Sequence, residues 1–112
     1  MIIRKIAVGN EKEAYVEDRI KLGVNILYSN DNNKGKTVLM QCISYALGYS
    51  EMFPNDFNVN DYYVYLEIEI NQEIVKILRR RRNIFLIINE KLYTFDSISE
   101  YKYFFDKEIF QL

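Results

Sequence analysis

Histidine is absent from this 112-residue sequence, and cysteine occurs once, at Cys42. These scarcities exclude an intramolecular disulfide, a histidine-based catalytic triad and any Cys/His zinc cluster drawn from this chain alone. Cys42 reads as a small buried hydrophobe. Long apolar runs are missing too: no stretch approaches the roughly 20 residues that span a bilayer, and Met1 to Asn10 lacks the apolar core of a signal peptide. A cytoplasmic protein with no membrane contact is the expectation. Nor does one sign of charge dominate, with 15 Lys and Arg against 16 Asp and Glu and a net charge of −1. Such a surface has no global field to gather nucleic acid or anionic lipid, so any contact of that kind is local.

What is present is a hydrophobic fraction of 49%, enough for one domain over residues 1–112 with a core of its own. The heavy use of Ile, Asn, Lys and Tyr, whose codons are AT-rich, points to a bacterium with a low-GC genome.

The pattern along the chain predicts a strand over Ile2 to Val8 and a second over Ala14 to Ile20, joined by the polar turn Asn10-Glu11-Lys12-Glu13. Gly23 to Tyr28 is a short apolar run that ends in a polar cluster, as a buried strand does when it stops at a functional loop, here Ser29 to Gly35. From Thr37 the apolar residues Val38, Leu39, Cys42, Ile43, Ala46 and Leu47 fall on one helical face, and Gly48 stands where a helix commonly ends. Tyr49 to Asp61, which contains the only proline, Pro54, reads as an irregular connection. Alternation at Val64, Leu66, Ile68 and Ile70, followed by Asn71-Gln72 and then Val75 and Ile77, predicts one hairpin. Ile84 to Ile88, Asn89-Glu90 and Lys91 to Phe95 predict another. Ser97-Ile98-Ser99-Glu100 has capping-box spacing and opens a last helix with Tyr101, Phe104, Phe105 and Ile109 on one side.

One segment carries chemistry. A phosphate-gripping Walker A loop, GxxxxGK[ST], needs backbone N–H groups curled around an anion, a lysine that reaches the terminal phosphates and a hydroxyl that ligates magnesium. Asn30-Asp31-Asn32-Asn33-Lys34-Gly35-Lys36-Thr37 matches at Gly35, Lys36 and Thr37, with Asn30 in place of the first glycine. Asparagine tolerates left-handed backbone better than other non-glycine residues, so Asn30 and Asn33 suit the tight turns. The implied ligand is ATP with Mg²⁺: Lys36 on the β- and γ-phosphates, Thr37 on the metal, and the amides of Asn32 through Val38 as the anion cradle. The competing reading is an Asn/Asp-rich surface turn capped by Thr37; the strand before and the amphipathic helix after favour the phosphate loop.

Gly23 and Asn25 before the loop, Asn32 within it, Gly35-Lys36-Thr37, and Tyr45-Ala46-Leu47-Gly48-Tyr49 at the helix end together resemble the N-terminal ATPase-head segment of SMC-like ABC ATPases. That family includes RecF-like proteins, DNA double-strand-break repair ATPases and bacterial phage-defence ATPases. The resemblance implies an α/β fold: the N-terminal lobe of a P-loop NTPase, with a strand-loop-helix Walker A unit and an antiparallel β subdomain, ending in a helix. It also implies ATP binding in DNA repair, genome maintenance or phage defence. No Walker B strand, LSGG-type signature, switch histidine or heptad arm is visible. By resemblance, hydrolysis then depends on a C-terminal lobe and a second subunit, with homo-oligomer or complex formation expected, and the chain alone binds nucleotide without turning it over.

Arg79-Arg80-Arg81-Arg82 is the one strong charge run. It offers a contact for a DNA or RNA backbone, against the plainer reading of a solvated strand end; strand alternation sends Arg79 and Arg81 to one face and Arg80 and Arg82 to the other. Tyr62, Tyr63, Tyr65, Tyr101, Tyr103, Phe104 and Phe105 fit a core better than a base-stacking surface, and Glu67 and Glu69 fit a solvated strand face better than a catalytic pair. A different class of function also fits: a non-catalytic interaction module, with a degenerate phosphate loop, that assembles with itself or with a larger ATPase.

Overall fold

The computed structural model describes residues 1–11, 14–17 and 33–110, with the side chains of 14–17, 33–36 and 110 left out. Six strands form one sheet: β1 (Ile2–Gly9), β2 (Ala14–Glu17), β3 (Tyr63–Ile70), β4 (Glu73–Arg80), β5 (Asn83–Ile88) and β6 (Lys91–Phe95). Their order is β2-β1-β3-β4-β5-β6, and every neighbouring pair is antiparallel. Helix α1 (Asn33–Ala46) and helix α2 (Ile98–Phe104), which runs on into a π-helical turn at Phe105–Phe110, complete the architecture with a short 3-10 turn at Val59–Asp61.

This arrangement corrects the expected fold class. The described residues form a mostly β domain on one antiparallel sheet, not the α/β lobe of a P-loop NTPase. The reason lies in the connections. Two-residue turns at Asn71-Gln72, Arg81-Arg82 and Asn89-Glu90 leave neighbouring strands no choice but to run antiparallel, whereas a parallel pair needs a crossover of a dozen residues or so. The strand expected over Gly23 to Tyr28 lies outside the described residues.

Both predicted hairpins form with the predicted turn residues. Asn71 and Gln72 have φ of 52° and 69°, and Asn89 and Glu90 have 52° and 65°, the pair of positive values that matches the twist of the flanking strands. Asparagine bears the first of each pair at small cost; Gln72 and Glu90 sit where glycine is easier.

Alternation divides the sheet into two faces. Ile6, Val8, Val64, Leu66, Ile68, Val75, Ile77, Ile84 and Leu86 are buried on one of them. Against this face lie Leu39, Cys42, Ile43 and Ala46 from α1, and Tyr101, Phe105 and Ile109 from α2 and its extension. The helical face read from residue 38 onward is therefore the packed one, and of the aromatics of the last helix Tyr101 and Phe105 are core and Phe104 packs at its edge, whereas Tyr103 is exposed against expectation. Phe104 sits beside Tyr93 and Phe95, with centroids 4.8 and 5.3 Å apart. The connection after α1 is held by a run of rings, Tyr45 to Phe53 to Phe57 to Tyr62, at 5.9, 5.5 and 4.8 Å. Ser97 caps α2 by accepting from the Glu100 amide, as the capping-box spacing predicts.

Candidate functional site

Helix α1 joins the two features that the sequence singles out. Its first residue is Asn33, so it opens two residues before Gly35, where the sequence reading still placed loop. Its leading amides, which no preceding turn can satisfy, belong to Asn33, Lys34, Gly35 and Lys36. Thr37 is exposed one step further on, and Val38 turns inward to pack against the core. Asn30, Asp31 and Asn32 lie outside the described residues, as do the side chains of Asn33, Lys34 and Lys36.

The other end of α1 is anchored in detail. Leu47 donates to the Ile43 carbonyl and Gly48 to that of Tyr45, while Tyr49 returns to Ser44. Gly48 makes this closure with φ of +99°, a left-handed value that suits glycine after a helix end. The two last carbonyls of the helix are taken by side chains from elsewhere: Arg79 Nη1 donates to Tyr45 O, and Tyr101 Oη donates to Ala46 O at 2.8 Å. Arg79 Nε donates to Arg81 O at 2.6 Å, and Tyr45 Oη reaches that same oxygen at 3.3 Å. The guanidinium carbon also stands 3.6 Å from the centroid of the Tyr45 ring. Burial pulls the Arg79 pKa below its ordinary value, with Tyr45 and Tyr101 opposing that shift. No carboxylate faces this cation in the described structure. Its partners are carbonyl dipoles at the negative end of a helix and the face of an aromatic ring.

The arginine run is thus divided. Arg79 is 8% exposed and structural, because it occupies the inward phase that Val75 and Ile77 set along β4. Arg80 stacks over Tyr63 at 4.9 Å and donates to its hydroxyl at 3.3 Å. Arg81, with φ of 56°, occupies the turn and donates to Asn60 O at 3.2 Å. Arg82 is exposed in the same turn. Arg81 therefore leaves the alternation that would have placed it beside Arg79. The charge run hid the lock at the helix end; the signal that finds it is Arg79's place in the Val75, Ile77, Arg79 alternation.

The other candidates resolve simply. Glu69 pairs with Arg4 at 3.5 Å, and Glu67 stands in register between Lys5 and Lys76. Cys42 is fully buried, and burial pushes its thiol up to about 12. No group of His, Cys, Asp or Glu able to hold a metal occurs among the described residues, and no described helix is long and apolar enough to cross a membrane. A shallow apolar cleft of about 340 Å³ lies beside Ala7, Gly9, Tyr63 and Tyr65.

No protein-family profile matches the chain. It is similar to Lamassu protein LmuB of Bacillus sp. (strain NCIM 5461 / CCTCC AB 2011126 / NIO-1130), 38% identical over 77 residues. That match takes in 68% of this chain and 13% of LmuB, so the chain corresponds to a small part of that relative's length.

Proposed function

We propose that this chain is an ATP-binding segment of an SMC-like phage-defence protein. The segment Asn30 to Val38 grips the triphosphate of Mg-ATP, with Lys36 on the β- and γ-phosphates and Thr37 on the magnesium. The observation that carries the reading is the start of α1 at Asn33, which gives Gly35-Lys36-Thr37 the opening turns of a helix. Amides with no partner within the helix and the positive end of the dipole favour a bound anion there. The similarity to LmuB supports a phage-defence, SMC-like setting. The proposal concerns the loop and its helix within a mostly antiparallel domain; it does not restore the α/β lobe of a P-loop NTPase.

Hydrolysis needs a carboxylate to orient the attacking water. In the family that the sequence resembles, this group comes from a C-terminal lobe, and a second subunit closes the site. The chain alone therefore binds ATP without appreciable turnover. A ligand present at about 100 times its Kd stabilises the folded state by about 2.7 kcal/mol, so saturating Mg-ATP raises the melting temperature by several degrees and Lys36→Ala removes the shift. An unchanged melting temperature at millimolar Mg-ATP, in protein with native far-UV dichroism, counts against the proposal.

A further inference from the structure

Helix α1 is held differently along its length. At its opening, Asn33 to Lys36 precede the first residues that pack on the sheet, Val38 and Leu39. Along the middle, Leu39, Cys42, Ile43 and Ala46 lie against the core. Apolar contacts of this kind choose which face of a helix is buried, but they are not directional. At the far end the ties are directional. Arg79 Nη1 from β4 donates to Tyr45 O, Tyr101 Oη from α2 donates to Ala46 O at 2.8 Å, and Tyr45 Oη donates to Arg81 O at 3.3 Å. The Arg79 guanidinium carbon also stands 3.6 Å from the centroid of the Tyr45 ring. Bonds from two different elements to two successive helix residues fix both the height of α1 along its axis and its rotation about it.

We propose that Arg79, helped by Tyr101, is a positioning residue for the phosphate segment: by fixing the far end of α1, it sets where the amides of Gly35, Lys36 and Thr37 stand. This deepens the nucleotide-binding reading above and rests on it. The link is geometric. Lys36 lies ten residues before Ala46 in one unbroken helix, about 15 Å away at a rise of 1.5 Å per residue. Such a helix moves as one body, so a swing of about 10° at its pinned end carries the opening turn through about 2.5 Å. Binding groups have to be held within about 0.5 Å of their productive geometry, and a displacement of that size takes the amides out of reach of a phosphate. Arginine suits the task because its planar fork serves Tyr45 O and Arg81 O at once, which ties the helix end to the β4–β5 turn as well as to the strand.

Two readouts on folded protein test the positioning role. The first needs no nucleotide: in ¹⁵N-labelled chain, Arg79→Ala is expected to shift the amide resonances of Gly35, Lys36 and Thr37, while those of β6 stay in place. The second is calorimetric affinity for Mg-ATP, expected to weaken about tenfold in Arg79→Ala. Phe104→Leu, at a ring that meets Tyr93 and Phe95 on β6, serves as a control that costs stability away from the helix end and is expected to move neither readout. Should Arg79→Ala misfold, Tyr101→Phe, which removes only the hydroxyl on Ala46 O, decides in its place. Opening-turn amides that keep their resonances, or an unchanged affinity for Mg-ATP, overturn the positioning role and leave nucleotide binding standing. A wild-type chain that takes up no Mg-ATP overturns the nucleotide reading itself and this proposal with it.

Discussion

Arg79 donates to the main-chain carbonyl of Tyr45 and at the same time holds its guanidinium carbon 3.6 Å from the centroid of that residue's ring. One side chain on β4 therefore ends helix α1, pins it to the sheet and, through Arg81 O, shapes the β4–β5 turn. Truncation to Ala removes one of two donors from each carbonyl, leaving Tyr45 O with the Gly48 amide and Arg81 O with the Tyr45 hydroxyl, and takes the guanidinium off the Tyr45 ring. Arg79→Ala is expected to cost about 1–3 kcal/mol in urea denaturation. Arg79→Lys recovers only part of this, because an ammonium cannot serve both carbonyls and stack on the ring.

Tyr101→Phe removes the hydroxyl that occupies Ala46 O. A loss of about 1–2 kcal/mol is expected. Since the two carbonyls are successive at the helix end, Arg79→Ala and Tyr101→Phe together should depart from additivity in a double-mutant cycle.

Gly48→Ala tests the helix closure. The added Cβ would lie 2.7 Å from Lys102 Cγ and 3.2 Å from Tyr101 Cε2, on a backbone whose φ is +99°. The lysine stem can move aside; the left-handed backbone strain remains, so destabilisation of about 1–2 kcal/mol is expected. Gln72→Gly and Glu90→Gly should act in the opposite direction, each gaining a few tenths to about 1 kcal/mol by relieving a positive φ.

Stability should fall at alkaline pH. Cys42 titrates near 9 when exposed and at about 12 when folded, so between those values the unfolded chain has lost a proton that the folded one keeps. The stabilisation is full below about pH 9 and is lost as pH rises toward 12, with a limiting slope of about 1.4 kcal/mol per pH unit. Tyr101, also raised by burial, adds to the same fall at the upper end. Denaturation midpoints at pH 8 and pH 10.5 should differ less in Cys42→Ala than in the wild type.

The parts of the fold that depend on local pattern were legible. Ile68 and Glu69 already declared their faces by alternation, Asn71-Gln72 and Asn89-Glu90 declared their turns, and Cys42 and Ile43 declared the packed side of α1. The fold class was misread because the resemblance carried by the loop and its helix was allowed to set the class of the whole chain, while the short turns between the later strands already required an antiparallel sheet that dominates it. Arg79 was grouped with three neighbours by charge, although its register placed it with Val75 and Ile77. Composition carried no signal for its ring partner 34 residues earlier, a contact set by tertiary packing alone. The π-helical continuation through Phe110 also has no signature in helical periodicity, which reads past it.

Nucleotide binding by the segment that opens α1 is the central claim, and calorimetric titration of Mg-ATP into the chain beside Lys36→Ala tests it most directly. Saturable one-site binding that weakens at least tenfold in Lys36→Ala, with no release of phosphate, is the predicted result. Folded protein that takes up no heat at millimolar Mg-ATP, or that binds equally with and without Lys36, would contradict it.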